Sequence, residues 1–495
     1  MSKLLNPLER VSTRRATHVA TALLALVLAG CASFSGLAPE ADMRRADTLA
    51  AARSLAGAPV STANWPATDW WRDFGDPGLD TLMDEALASS PTLAVAAART
   101  RRALAVAAAE KSALSPQVDA TAAATRERLS ANGLVPPPLG GSVQTASNLQ
   151  ATLTWELDLW GRNRAAYEAA VGAARAAEVD AAAARLALST SVAQAYVELQ
   201  RTDLLRDVAL ETLREREHVA ALTRDRNDAG LDSRLEVKQA EAAIPATREA
   251  IAALDERAGL LRNEIAALLG AGPDRGLAIA RPAAMARADV GLPSTVPAEL
   301  IGRRPDVVAQ RWRIESAGRE IASAKAAFYP NVNLVAFVGL SSLGGNLLTA
   351  ASRMAGAGPA ISLPIFDAGR LRAELAGRDA DYDIAVGQYN QAIANAMRDV
   401  VDQLVSLRSI DAQRREQRIA SATAQDAYDL ALVRFREGLG NYLQVLSAEQ
   451  PLLQQRSLDA DLAARKLEVE IGLIRALGGG FGPPEAIATT TKATP

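Results

Sequence analysis

From Arg226 to Glu241 the chain reads RNDAGLDSRLEVKQAE, and from Arg434 to Glu449 it reads RFREGLGNYLQVLSAE. Arg, Gly, Leu, Leu, Val, Ala and Glu recur in register at an offset of 208 residues with no gap. A glycine just past one long helical pattern, followed by a short polar turn and a second helical pattern, reads as a helix hairpin. Two hairpins at one fixed offset mean a duplicated unit.

The register extends upstream. WELDLWGRNRAAYEAA (Trp155 to Ala170) lies opposite LPIFDAGRLRAELAGR (Leu363 to Arg378) at the same offset. Further back the offset becomes 214, where KSALSPQVDATAA from Lys111 matches KAAFYPNVNLVAF from Lys325, and Pro91 matches Pro305. Each copy therefore runs helix, strand, loop, strand, very long helix, turn, shorter helix. The resulting division is 91–272 for the first repeat and 299–480 for the second, with a proline-punctuated linker at 273–298. A segment of extended chain and equatorial contacts spans 31–90, in which Trp70, Trp71 and Phe74 precede a helix carrying Leu79, Leu82, Met83 and Leu87, and a disordered tail is expected at 481–495.

The strands announce themselves by a two-residue period. Val118, Ala120, Ala122 and Ala124 alternate with Gln117, Asp119, Thr121 and Thr125, and Leu153, Trp155, Leu157 and Leu159 alternate with Thr152, Thr154, Glu156 and Asp158. In the second copy the strands are expected at about 331–343 and 357–367, with a loop at 130–147 in the first. Helical patterns run from Gly161 to Ala229 and from Gly369 to Glu437, each about 100 Å at 1.5 Å per residue. Unbroken patterns of that length imply a coiled coil or a helical barrel. The return helices are expected to end near Leu269 and Leu477, with a kink at Pro245.

Composition excludes several functions. The net charge of −3 and the absence of a basic patch with interleaved aromatics argue against nucleic acid. Cys31 is the only cysteine, which rules out an intrachain disulfide or a Cys-rich metal site. The two histidines are His18, in the leader, and His218, on a charged helix face. No nucleophile or ligand set surrounds either, so neither an enzyme nor a cofactor is expected. Acidic pairs such as Asp411 and Glu416 read as solvated helix faces.

Residues 1–30 have a leader's form: Lys3, Arg10, Arg14 and Arg15 precede an apolar run, Val19 to Leu28, that is too short to span a bilayer. The run ends in LAGC, which resembles a bacterial lipobox acylated on Cys31. Ala32 after the cysteine matches the sorting rule for outer-membrane lipoproteins.

Four strands of about ten residues with one apolar face suit a transmembrane barrel. Open sheet edges cannot face lipid, and barrels close at about eight strands or more. One chain supplies four, so a membrane barrel requires an oligomer, of eight strands from two chains or twelve from three. Thr152, Thr154 and Glu156 would then face water, and Leu153, Trp155 and Leu157 lipid.

RRPDV at Arg303–Val307, AKAAFYPNVNL after it, LPIFDAGR at Leu363–Arg370 and the twin Gly-Leu turns together resemble the outer-membrane efflux proteins, the TolC/OprM-type channels. The lipobox places the chain nearest their NodT-like lipoprotein branch, and the resemblance covers about Trp65 to Gly478. It implies an α+β fold: a homotrimer with a 12-stranded outer-membrane β-barrel continuous with a long periplasmic α-helical barrel. It implies passive export of substrates received from an inner-membrane efflux pump through a periplasmic adaptor (a membrane fusion protein). The tips that would meet the adaptor are Gly230, Leu231, Asp232 and Ser233, and Gly438, Leu439, Gly440 and Asn441. The gate would sit there. Some relatives carry acidic residues after the second turn that select cations; the matching Gln444 and Ser447 are neutral, which speaks against cation binding. Hydrogen bonds from Tyr442 and Gln444, with Arg436 paired to an acidic neighbour, are expected to hold the tip shut. A lipid-anchored periplasmic coiled-coil scaffold is the competing reading, and it leaves the repeated strand pairs unexplained.

Overall fold

The computed structural model describes residues 33–45, 52–55, 65–283, 285 and 302–482. The expected leader, Cys31, most of the tail and much of the linker lie outside these. The principal elements are α1 (Pro77–Ser89), α2 (Pro91–Ser112), β1 (Gln117–Arg128), β2 (Val143–Glu156), α3 (Arg162–Asp228), α4 (Arg234–Leu268), α5 (Pro305–Ala326), β3 (Asn331–Leu343), β4 (Arg353–Ser362), α6 (Arg370–Arg436) and α7 (Tyr442–Ala476). The two long helices have 67 residues each and the two return helices 35 each, so the duplication is carried through element by element. No helix among the described residues is long and apolar enough to cross a membrane.

Two compact units divide the chain, and each draws on both repeats. One comprises Met1–Met43, Thr100–Ala176 and Gln310–Gln388; the other comprises Arg44–Arg99, Ala177–Ala309 and Tyr389–Pro495.

The first unit holds an antiparallel sheet in the order β1-β2-β3-β4. Residues paired across an antiparallel ladder share a face. The register aligns Val118 with Leu153 and Ala336, and Ala120 with Ala151 and Val338, so these positions build one apolar face. Leu334 and Trp155 extend it, with Pro359 and Ala357 continuing it onto β4. The opposite face carries Asp119, Thr152 and Phe337 in one row, and Thr121, Gln150 and Gly339 in the next. Phe337 covers Gly356, where an added Cβ would lie 2.6 Å from its ring. Among the described residues, β1 and β4 each pair on one side only.

Two strand boundaries differ from expectation. β2 begins at Val143, inside the expected loop, because its first residues pair with the polar end of β1 at Arg126–Arg128, where neither strand alternates. β4 starts four residues earlier than expected and stops at Ser362, so Leu363 and Ile365 fall outside it. Asp367 ends the extended run by accepting from Gly369 N and Leu371 N at 3.0 and 2.9 Å, which caps α6. Those bonds, led by that from Leu371, hold its carboxyl below the usual carboxylate range. Leu157 likewise lies beyond β2, though its N–H still donates to Val332 O at 2.9 Å.

The N-terminal segment from Ser33 runs along the start of α6. Asp383 accepts from Glu40 N and Ala41 N at 3.0 and 2.8 Å, Arg372 donates to the Ser33 carbonyl, and Phe34 packs edge-on against Phe328 at 5.6 Å.

In the second unit, Trp70, Trp71 and Phe74 join Leu79 and Met83 of α1, Tyr196 and Leu199 of α3, Ile265 of α4 and Ile471 of α7 in one buried core. Buried Asp76 caps α1 and accepts from Tyr196 Oη at 2.9 Å. The RRPDV segment is structural here: buried Arg304 donates to Asp306 at 3.0 and 2.7 Å, to Asp399 at 3.1 Å and to the Ala476 carbonyl near the end of α7 at 3.4 Å. A cation there also complements the negative end of the helix.

Candidate functional site

The two helix turns, all within the second unit, are built alike. Gly230 has φ +73° and Gly438 φ +75°, the left-handed conformation that closes a helix C-terminus. Leu231 N donates to Arg226 O and Leu439 N to Arg434 O, both at 2.8 Å, while each glycine N–H donates to the carbonyl three residues before it. This is the Schellman pairing of orphan carbonyls. The starts of the return helices differ. Ser233 caps α4 in a full capping box, its N–H donating to Glu236 at 2.9 Å, and the hydrogen bond from the Ser233 hydroxyl holds Glu236 below the usual range. Asn441 caps α7 through one bond, accepting from Gln444 N at 3.1 Å.

One residue joins the turns, and sequence reasoning passed over it. Arg226 forks onto Asp232 with bonds of 2.8 and 3.2 Å, then donates through its third nitrogen to the Phe435 carbonyl at 2.9 Å. Its guanidinium lies 4.5 Å from the centre of the Phe435 ring. The side chains are 11% and 6% exposed, so the pair is well shielded from screening. Phe435 in turn packs against Tyr442, with ring centres 6.3 Å apart.

Further from the turns, a second junction ties the hairpins. Arg216 of α3 forks onto Glu449 of α7 with two bonds of 3.0 Å, and reaches Thr247 Oγ1 and Ala243 O of α4 at 2.9 and 3.3 Å. Arg456 of α7 donates to Gln425 of α6 at 2.9 Å and to Glu215 of α3 at 3.4 Å. Burial pushes Glu215 above the usual carboxylate range, against the pull of Arg456 and with Glu211 adding to the rise. Burial, with Glu215 and Glu449 nearby, pushes the Tyr428 hydroxyl up to about 12.

The structure distributes the expected gate residues unevenly. Asp232 lies in the Arg226 junction. Leu231 and Leu439 stand at the turns, 66% and 72% exposed. Arg436 has no acidic partner among the described residues; it meets His218 Nε2 at 3.3 Å instead. Tyr442 contributes a buried ring rather than a polar link, because the first turn of α7 faces Phe435. Gln444 lies in the first turn of α7 and gives its backbone N–H to the Asn441 cap, and Ser447 turns its hydroxyl back to Leu443 O at 2.7 Å. No group of three or more acidic, His or Cys side chains that could hold a metal occurs among the described residues.

The arrangement is matched by known proteins. The family model described as outer membrane efflux protein fits residues 82–271 and 296–479, once on each repeat. The fusaric acid resistance protein FusA of Burkholderia cepacia is 39% identical over 373 residues, 74% of this chain and 70% of that protein. The multidrug resistance outer membrane protein MdtP of Escherichia coli K12 is 32% identical over 431 residues, covering 85% and 88%. Among solved structures, the outer membrane protein VceC of Vibrio cholerae superposes with a TM-score of 0.79 at 34% identity, over 84% of this chain and all of that one. The α+β chain, with its repeated helix hairpins and its one-sidedly apolar sheet, belongs to the outer membrane efflux protein family.

Proposed function

We propose that this protein is the outer-membrane channel of a tripartite efflux system, passively exporting substrates delivered by an inner-membrane pump through a periplasmic adaptor. The observation that carries this reading is the sheet: four strands sharing an apolar face, with β1 and β4 each unpaired on one side among the described residues. Unpaired edges in hydrocarbon cost several kcal/mol per group, about, and closure removes them. Three copies pairing β4 to β1 close a 12-stranded barrel, apolar face to lipid and polar face to the lumen.

Cys31 is the acylation site. The segment from Ser33, tied to the first turns of α6 by Asp383 and Arg372, starts beside the helix that follows β4 directly, which is where a lipid anchor belongs. The exposed Leu231 and Leu439 at the turns are the adaptor contacts. The Arg226 junction keeps the two turns together and is the latch of the gate. No catalytic step is involved.

Planar-bilayer conductance of the purified assembly tests this. The parent chain should conduct in small or rare steps, and Arg226→Ser in large discrete ones. Silence in Arg226→Ser and in Asp232→Asn alike would remove the channel reading and leave a lipid-anchored scaffold.

A further inference from the structure

The gate reading leaves open how much of each hairpin moves. The junctions at the turn and further along α3 differ in strength in a way that decides it. Arg226 and Asp232 both belong to the first hairpin, so among the described residues no shielded ion pair crosses between the hairpins at the turns; they are joined there by the Arg226–Phe435 carbonyl bond, the ring contact beside it, the exposed Arg436–His218 contact and a shared apolar cluster that includes Val219, Ala240, Phe435 and Tyr442. At Arg216 the cross-hairpin link is a forked ion pair, with side chains 18% and 7% exposed, and the same guanidinium is also bonded to α4. Parting a shielded charge pair strands a buried charge, whereas the hydrogen bonds at the turns can be exchanged for water.

Both return helices are weak at this level. Pro245 lies between Ala243 and Thr247, the two α4 residues that Arg216 holds, and Pro451 lies two residues beyond Glu449. Each proline removes one rung of its helical ladder, leaving the carbonyls of Glu241 and Ser447 without their helical donor. The prolines are not repeat equivalents: at the 208-residue offset Pro245 falls on Leu453, and Pro451 on Ala243. What recurs is the level along the hairpin. α3 and α6 contain no proline at all. Arg216 lies ten residues before Arg226 on α3, about 15 Å along a helix. Just beyond, Arg456 ties α7 to α3 and α6, so the hairpins are joined again on the far side of the prolines.

We propose that Arg216 and Glu449 are positioning residues that form a fixed pivot, and that the gate opens by bending α4 and α7 at the rungs their prolines leave open, at the Glu241 and Ser447 carbonyls, on the turn side of it. The mobile part is then the short stretch between pivot and turns, not the hairpins as rigid rods. This rests on the gate reading above.

Spin–spin distances between copies test it in the full-length assembly. Labels are placed singly at Leu439→Cys, at the turn, and at Ile419→Cys, exposed on α6 beyond the Gln425 level. The labelled parent serves as the blank for Cys31. Opening is triggered by Arg226→Ser, with Asp232→Asn as the milder second trigger if the first does not assemble. The expected result is a shift of several ångströms at 439 and none at 419. Adding Pro245→Ala and Pro451→Ala, which restore the missing rungs, should shrink the shift at 439. Equal shifts at both labels, or a shift at 439 that the alanines leave intact, overturn the pivot. No shift at either label with either trigger overturns the gate reading itself.

Discussion

Removing the Glu449 carboxylate should loosen the first turns of α7 far more than any neighbouring substitution. In Glu449→Ala, Arg216 keeps its bonds to Thr247 and Ala243 but loses both bonds of its fork, in a place where the carboxylate is 7% exposed. Breaking a buried pair from one side costs about 3–5 kcal/mol. The 18% exposure of Arg216 gives it some access to water and sets the value near the lower end, ~3 kcal/mol. At 1.4 kcal/mol per tenfold, that is roughly a 150-fold rise in the local opening constant. Amide hydrogen exchange reads it directly: the amide protons of residues 445–450 and 452 should exchange faster by about that factor, and those of 460–476 unchanged. The double variant Arg216→Met/Glu449→Met removes both charges while keeping most of the volume, and should recover most of the protection. Gln450→Ala, on the exposed side of the same turn, is the control. If Glu449→Ala exchanged no faster than Gln450→Ala, the pair would hold nothing and the pivot would have no basis.

Other outcomes follow from the same geometry. Gly438→Ala meets nothing closer than Arg226 Nη1 at 3.9 Å, so its cost is purely conformational, about 1–2 kcal/mol for a left-handed alanine, read as faster exchange at the second turn. Arg304→Met should destabilise the fold by about 1–2 kcal/mol, read as a lower thermal midpoint, because it takes the buried guanidinium from Asp306 and leaves Asp399 with Arg398 alone. Glu215, held above the usual carboxylate range by burial, favours its protonated form in the closed hairpins. That contribution is complete below the ordinary carboxylate range and is lost as pH rises through the raised value. The urea midpoint of the parent relative to Glu215→Gln should therefore fall as pH rises through that window; a constant difference would reject it. Asp383→Ala should expose residues 33–43 to protease while leaving the sheet protected, since it removes the acceptor for Glu40 N and Ala41 N.

The hairpins were legible because their signals are local: a glycine, a small polar turn and a cap lie within four residues of one another. Repetition then turned a weak motif into a strong one. The sheet was legible wherever one face is apolar throughout, and it blurred at the polar rows beyond Arg126 and at the small residues of β4, where alternation carries no contrast. Arg226 was missed although it opens the repeated segment, because what distinguishes it from Arg434 is a carbonyl 209 residues away. Residue type gives Tyr442 a polar role that packing against Phe435 overrides, and Arg436 meets a histidine of α3 rather than a carboxylate. Pro451 gave no signal as a partner of Pro245 because the two break the repeat.

The sheet's two free edges also bear on how a cell inherits damage. A strand pair that one copy fails to offer is missing from a ring that its neighbours need in order to close. A defective β1 or β4, produced beside the normal protein, would be built into mixed rings and spoil the sound chains in them. Such lesions should act dominantly, impairing export even when half of the chains are normal, whereas a lesion confined to the proposed leader would keep its product out of the ring and remain recessive.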